Sequence, residues 1–301
     1  MGLVWGIPAG QGHREQEAGA ATLSGSMHER RAGSDTPGVV SVGVVTPTLN
    51  AERYLERTME SIWSQGDDRL DVRHVIVDGN STDRTVEIAQ RYPSEVVVAK
   101  DGGMYEAVNR GMAMVEGDVI GYINADDEIG SGALRTVVDA LTRHPDAQWV
   151  CGRLEYIDGD DRVLGAWTPV PMTLRAYAGI GWSCVPQQTV WVRHSFYERV
   201  GPYDTLFKNC ADYDWYARAM RLSPPLILPK VIGRFRLHES NLSYDAEKME
   251  QESRMIQERY GGTGPAAYLQ GKLLSLRLNA RNPAWLVAKK TGKITFTPSR
   301  V

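Results

Sequence analysis

The 301-residue chain has no apolar run approaching the roughly 18 to 20 residues that a membrane-crossing helix needs, which excludes a transmembrane helix. Cysteine is scarce. Cys151, Cys184 and Cys210 are separated by 32 and 25 residues, a spacing that fits neither a zinc site nor a disulfide framework. Their odd number suits a reducing cytosol, and all three are expected to serve as small buried hydrophobes. No G-x-x-x-x-G-K-[ST] sequence occurs, and the turn after the first strand-like run reads Thr46-Pro47-Thr48, without glycine. P-loop hydrolysis and dinucleotide binding are therefore set aside. The last 41 residues, Gly261–Val301, contain no Asp or Glu but hold Lys272, Arg277, Arg281, Lys289, Lys290, Lys293 and Arg300. The net charge of −3 thus divides into +7 on this tail and −10 on residues 1–260.

What remains is an ordinary globular composition, 42% hydrophobic and 24% charged, long enough for a substantial core. The first 38 residues hold eight glycines and a charged stretch, His28-Glu29-Arg30-Arg31, without hydrophobic periodicity. They are expected to be a disordered extension, and they lack the continuous apolar stretch of a secretory signal. Met27 is a candidate translation start, which an intact mass counted from Met1 would refute.

From Val39 the pattern changes. Strands are expected at Val39–Thr46, Val72–Asp78, Val96–Ala99 and Val119–Ile123, each β-branched and short. Helical spacing follows each one: Tyr54, Leu55, Thr58, Met59 and Ile62; Thr85, Ile88, Ala89 and Tyr92; Met104, Ala107, Val108, Met112 and Val115; Leu134, Val137, Val138 and Leu141. Asn50 is the expected cap of the first helix, and Ser81 or Thr82 of the second. This alternation predicts an α/β fold, an open and mostly parallel sheet flanked by helices. Beyond residue 145 the signal is less regular. Strands are expected near Trp149–Ile157 and Leu226–Phe235, a helix near Asp212–Arg221, a solvated helix over Ala246–Tyr260, and two short amphipathic helices in the basic tail. The organisation read from this is an extension over 1–38, a domain over 39–245 with halves 39–145 and 146–245, and a helical basic extension over 246–301.

Open α/β sheets bind ligands beyond the carboxyl ends of their strands. Those ends carry Thr46-Pro47-Thr48 and Asn50, then Asp78, then Asp101, then Asn124-Ala125-Asp126-Asp127. Carboxylates repel phosphates, so a nucleotide pocket here needs a divalent cation between them, or acids that face ribose and base. Taken singly, Asp126 and Asp127 also suit a helix cap and Asp78 a turn. Their recurrence at successive strand ends is the stronger signal.

These residues resemble the inverting glycosyltransferases of family 2, which have the GT-A fold. Val44–Asn50 is similar to that family's first strand and turn, and Asp78–Thr85 to its second-strand signature. Asp101–Gly111 running into Gly117–Gly121 resembles a polysaccharide-assembly branch, and Asn124-Ala125-Asp126-Asp127 stands where the metal-binding DXD motif lies. The resemblance covers about residues 40–245. It implies that Pro47, Thr48, Asp78 and Asp101 contact the nucleotide, with Asp78 placed for the base. It also implies that Asn124 contacts the donor and that Asp126 ligates Mg²⁺ or Mn²⁺ on the diphosphate. Asn124 replaces the first acid of the motif and removes a unit of charge. Asn209–Trp215 resembles the family's acceptor-side acidic motif, in which the usual Glu-Asp pair reads Ala211-Asp212, leaving Asp212 as the general base. Helical geometry agrees: Asp212 shares a face with Trp215, Tyr216 and Ala219, while Asp214 lies about 200° away and is expected to be solvated or salt-bridged. Helix capping is the competing role for Asp212. Pro186-Gln187-Gln188-Thr189 resembles the border of the sugar and acceptor site, and Arg236-Leu237-His238 the family's late loop near the diphosphate. Trp182 and Trp191 either stack on a sugar or pack in the core.

The expected activity is non-processive transfer of one sugar from a nucleotide-sugar donor to a hydroxyl acceptor, in cell-surface polysaccharide or glycolipid assembly. The chain lacks the Gln-x-x-Arg-Trp sequence of processive enzymes. In the basic tail, Leu, Tyr and Trp interleave with Lys and Arg, which suits either a solvated face or an interfacial helix on an anionic membrane presenting a lipid-linked acceptor. The expected location is cytoplasmic, peripheral on the inner face of the membrane. No nucleic-acid-binding motif accompanies the charge. Two rivals remain: a sugar nucleotidylyltransferase, which should carry a glycine-rich basic first loop, and an inactive sugar-nucleotide-binding protein, suggested by Asn124 and Ala211.

Overall fold

β-Branched residues at both faces of Val40–Thr48 (β1) fit a strand buried on two sides, and all but Val40 are buried in the computed structural model, which describes residues 38–239, 241 and 246–294. Beside β1 lie Leu70–Asp78 (β2) and Val119–Tyr122 (β4), both parallel to it, and Glu95–Val98 (β3) runs parallel outside β2. The sheet continues through Trp191–Arg193 (β8), Trp149–Ile157 (β6), Leu226–Arg236 (β9) and Glu128–Ile129 (β5). The strand order is β3-β2-β1-β4-β8-β6-β9-β5, and Val163–Trp167 (β7) pairs antiparallel with β6. The long β6–β9 pairing is parallel, while short β8 joins the two halves antiparallel on both sides. The carboxyl ends of β1, β2 and β4 consequently open toward one edge of the second half.

Leu55–Trp63 (α1), Thr85–Ala89 (α2), Met104–Met114 (α3) and Ala133–Arg143 (α4) follow the predicted periodicities and bury those faces. α3 lies very close to β1 because Gly111 has no side chain: a Cβ there would sit 2.3 Å from Val45. The expected caps differ. α1 starts after Tyr54, and Asn50 instead adopts a left-handed φ of 48°, its Oδ1 accepting the Thr82 amide at 2.9 Å. Asp83 accepts the Thr85 amide at the start of α2, because Ser81 is committed to Asp78.

The second half adds Leu174–Ile180 (α5), His194–Val200 (α6) and Ala211–Leu222 (α7). Ala246–Arg259 (α8), Pro265–Arg281 (α9) and Pro283–Lys290 (α10) follow. These last three share the main core, into which Ile256, Leu274, Leu278 and Trp285 pack. α9 crosses α5 at a glycine contact: a Cβ on Gly271 would lie 2.3 Å from the Gly179 backbone. The tail is thus docked, and its first helix, at 17 residues, is not short. α8 is not wholly solvated, since Ser253 and Ile256 are buried. The three cysteines are free and buried, and Trp191 is a core residue. Residues 1–37 of the expected 1–38 extension, the candidate start at Met27 and the boundary at residue 245 lie outside the described residues, as does Arg300.

Candidate active site

At these strand ends is a cavity of about 1040 Å³, at the upper end of the range for small-molecule sites. Pro47, Thr48, Asp101, Asn124, Asp126 and His238 line it at and near the strand ends, and Trp182, Gln187, Gln188 and Asp212 line it as well. Residues separated by nearly two hundred positions are thus brought together. Asp78 is the exception. It is buried behind the cavity wall, accepting bonds from the Thr48 hydroxyl at 2.9 Å and from the Ser81 amide and hydroxyl at 2.7 and 2.6 Å. The position shows it holding the two strand-end loops together.

The strand-end arm is acidic. Asp101 Oδ1 accepts Arg110 Nη2 at 2.8 Å, while its buried Oδ2 has no hydrogen-bond partner among the described residues. The buried Oδ1 of Asn124 is likewise without one. Asp126 Oδ2 and His238 Nε2 are 2.9 Å apart. Its neighbour Asp127 is fully buried, accepting the Arg236 amide at 3.0 Å and Gln188 Nε2 at 2.8 Å. Burial, and then the charge of Asp126, push the Asp127 carboxyl well above its usual range. Gln188 is therefore committed to supporting Asp127, while Gln187 donates to the Tyr122 carbonyl at 2.8 Å and reaches toward Asn124. Arg236 is fully buried and stacked on Tyr54. It bonds the Asp126 carbonyl at 3.0 Å and pairs with Glu128 and Asp161. It shapes the Asp126 loop from behind, unlike an arginine that reaches a diphosphate.

Asp126 and His238 bring a carboxylate oxygen and an imidazole nitrogen within reach of one ion. Among the described residues no group of three or more His, Cys, Asp or Glu could hold a metal ion, so any bound cation would need further ligands from the substrate.

Asp212 sits in the first turn of α7, half-buried. Its Oδ1 accepts the Tyr213 amide at 2.8 Å and the Tyr105 hydroxyl at 3.3 Å. Burial raises its pKa to about 6, opposed by these bonds and assisted weakly by the Glu252 charge. A carboxyl tuned this way is ionised at neutral pH yet a better proton acceptor than an ordinary aspartate. Asp214, expected to be solvated or salt-bridged, is salt-bridged but fully buried, bonded to Arg218 at 2.9 Å and to Arg259 and the Tyr260 hydroxyl at 2.8 Å. α7 is enclosed nearly all round, so a two-faced helix is the wrong picture for it.

The other arm is aromatic. Trp182, 41% exposed, lies 5.7 Å from Trp167, which meets Trp285 of α10 edge-on at 4.7 Å. Lys289 also lines the cavity and lies 5.1 Å over the Trp285 ring. Trp167, Trp285, Lys289 and Tyr105 were not singled out from the sequence. Tyr105 lies within the Asp101–Gly111 motif and was open to inference there, whereas nothing local marks the other three.

The model of the glycosyl transferase family 2 matches residues 43–218. An uncharacterized glycosyltransferase of Mycobacterium tuberculosis, Rv1514c, is 29% identical over 201 residues, covering 65% of this chain and 74% of its own. A PGL/p-HBAD biosynthesis glycosyltransferase of Mycobacterium bovis is 26% identical over 193 residues, covering 61% and 71%. S. aureus TarS 1-349, solved in complex with UDP-GlcNAc, has a TM-score of 0.59 at 17% identity, covering 78% of this chain and 70% of that one. Against the longer TarS chain the coverage is 42% of that chain. The likeness to TarS is one of fold.

Proposed function

The chain belongs to glycosyl transferase family 2, and we propose that its cavity transfers one sugar, with inversion and without processive polymerisation, from a nucleotide-sugar donor to a hydroxyl acceptor. The observation that carries this reading is the half-buried Asp212, its basicity raised, in the wall of a cavity that the strand-end acids Asp101 and Asp126 also line.

The donor lies in the acidic arm, with its nucleotide against Pro47, Thr48 and Asp101 and its base near the loops held by Asp78. Asn124 and the unpartnered oxygen of Asp101 suit sugar or ribose hydroxyls, which donate hydrogen bonds. Asp126 and His238 would hold Mg²⁺ or Mn²⁺. When bound, the cation offsets the charge of the departing diphosphate. Asp212 takes the proton of the acceptor hydroxyl while that oxygen bonds to the anomeric carbon, and the glycosidic electron pair leaves with the nucleoside diphosphate. The aromatic arm, Trp167, Trp182 and Trp285, offers apolar faces on which an acceptor ring can stack. A uridine diphosphate donor is the first candidate, since the solved relative carries one.

The acceptor is lipid-linked, and the chain works at the inner face of a membrane in cell-surface polysaccharide or glycolipid assembly. On α9, Tyr268, Leu269, Leu273 and Leu276 are 52 to 65% exposed, on the side away from α5, with Lys272 among them. Among the described residues no helix is long and apolar enough to cross a membrane, so this ridge suits adsorption to an anionic surface. Leu269→Glu with Leu276→Glu should abolish flotation with anionic vesicles and leave the melting temperature unchanged. Flotation equal to wild type would sink the membrane assignment.

Thermal-shift measurement with UDP-, GDP- and dTDP-sugars, with and without Mn²⁺, tests donor binding. Ligand at 100 times its dissociation constant stabilises by about 2.7 kcal/mol. Absence of a shift with all three classes would refute the donor assignment.

A further inference from the structure

The first amides of a helix have no partners within it. α7, which carries Asp212 as its second residue, has no side-chain cap of its own. The Asp212 and Tyr213 amides bond the Tyr105 hydroxyl at 3.4 Å and Asp212 Oδ1 at 2.8 Å, and the three residues that lead into the helix are held from α8. Glu252 Oε1 accepts the Lys208 amide at 2.9 Å and Asn209 Nδ2 at 3.2 Å, while Oε2 accepts the Asn209 amide at 2.9 Å and the Cys210 amide at 2.8 Å. Three consecutive backbone N–H groups thus converge on one carboxylate. Seven residues further along α8 and just beyond it, Arg259 and Tyr260 hold Asp214. α8 therefore grips α7 on both sides of Asp212, and it lies outside the family-matched span.

We propose that Glu252 is a positioning residue for Asp212: it fixes the start of α7 in place and sets an anionic charge beside the carboxyl that receives the acceptor's proton. The proposal rests on Asp212 being the general base. It also makes the C-terminal extension a working part of the active site.

The groups facing Asp212 from the surrounding elements are Tyr105 of α3, Tyr122 of β4, Tyr177 of α5, Tyr203 and Cys210 of the segment before α7, and Tyr216 of α7. Burial raises the pKa of each of them, so all are neutral near pH 6, and Glu252 is the foremost charge acting on Asp212 there. Lys208, whose amide Glu252 holds, is paired through its ammonium with Glu106 of α3 at 3.2 Å.

Carbon NMR of the full chain labelled at the aspartate carboxyls tests this directly, with the Asp212 signal identified by its loss in Asp212→Asn. The wild-type signal should titrate near pH 6. In Glu252→Gln, which keeps the side-chain shape and one acceptor oxygen, the midpoint should fall by about 0.2 to 0.5 pH unit. The acid limb of UDP-GlcNAc turnover should move with it, and kcat should fall about tenfold at little change in KM. Glu252→Asp keeps the charge but is too short to reach all three amides. It should restore the midpoint while kcat stays low, and it carries the comparison if the glutamine variant does not fold. An Asp212 midpoint unmoved in Glu252→Gln overturns the proposal and leaves the base assignment intact. Near-normal turnover in Asp212→Asn overturns the base assignment, and the catalytic half of the proposal with it.

Discussion

Replacing Asp212 by asparagine should remove activity and stabilise the fold together. Burial lifts the folded pKa of this carboxyl to about 6 from an ordinary 3.8. The proton therefore favours the native state. That contribution is fully present below pH 3.8 and is lost as the pH rises through about 6. At neutral pH the ionised carboxyl costs up to about 3 kcal/mol, or about 1–3 once the opening of the cavity to solvent is considered. Asparagine resembles the protonated acid in shape and cannot ionise. Asp212→Asn should match wild type in melting temperature at pH 4 and exceed it at pH 7.5 by about 2 to 10 °C for a domain of this size. Transfer should fall by about 10²- to 10⁴-fold, the usual contribution of a general base. Scanning calorimetry at the two pH values, with sugar-transfer rates at pH 7.5, provides the assay. A variant no more stable than wild type at pH 7.5, or one that transfers at a near-normal rate, would refute the reasoning.

His238→Ala should reduce the Mn²⁺-dependent part of donor stabilisation by about tenfold in apparent affinity while sparing the metal-free part, because Asp126 loses its neighbour for the ion; equal Mn²⁺ responses in calorimetry would contradict this. Trp182→Ala removes a half-exposed ring from the aromatic arm and should raise the acceptor KM several-fold, about 1 kcal/mol, with donor affinity unchanged in the same titration. Arg236→Met removes the buried cation between Glu128 and Asp161, which keep Arg234 and Arg57 as partners, and should destabilise by about 1–3 kcal/mol in urea unfolding; an unchanged stability would mean that these second partners compensate fully.

The donor half was legible because each of its strands carries its own local pattern and parallel strands end together. The β-branched runs place Thr48, Asp78, Asp101 and Asp126 at ends that must share one edge of the sheet. The caps were not legible: Asn50 and Ser81 carry cap-forming side chains, but loop–loop bonds claim both. The second half depends on pairings between distant segments. β9 lies parallel to β6 some seventy residues away, and the three-residue β8 bridges the halves with almost no local signal. Asp214 shows how helix periodicity fails. Its neighbours Arg218, Arg259 and Tyr260 come partly from α8, and a wheel drawn for α7 alone cannot contain them. For the same reason Glu252 reads in sequence as one more acid on a solvated helix, and Trp285 as one aromatic in a basic tail.

Inverting sugar transfer from a nucleotide donor is tested most directly by combined ³¹P and ¹H NMR of UDP-, GDP- and dTDP-sugars incubated with the protein and Mn²⁺, water serving as the acceptor. The predicted result is release of a nucleoside diphosphate, with the sugar first appearing in the anomeric configuration opposite to that of the donor, and no release in Asp212→Asn. Pyrophosphate exchange, retention of configuration, or no turnover of a donor that binds would contradict it.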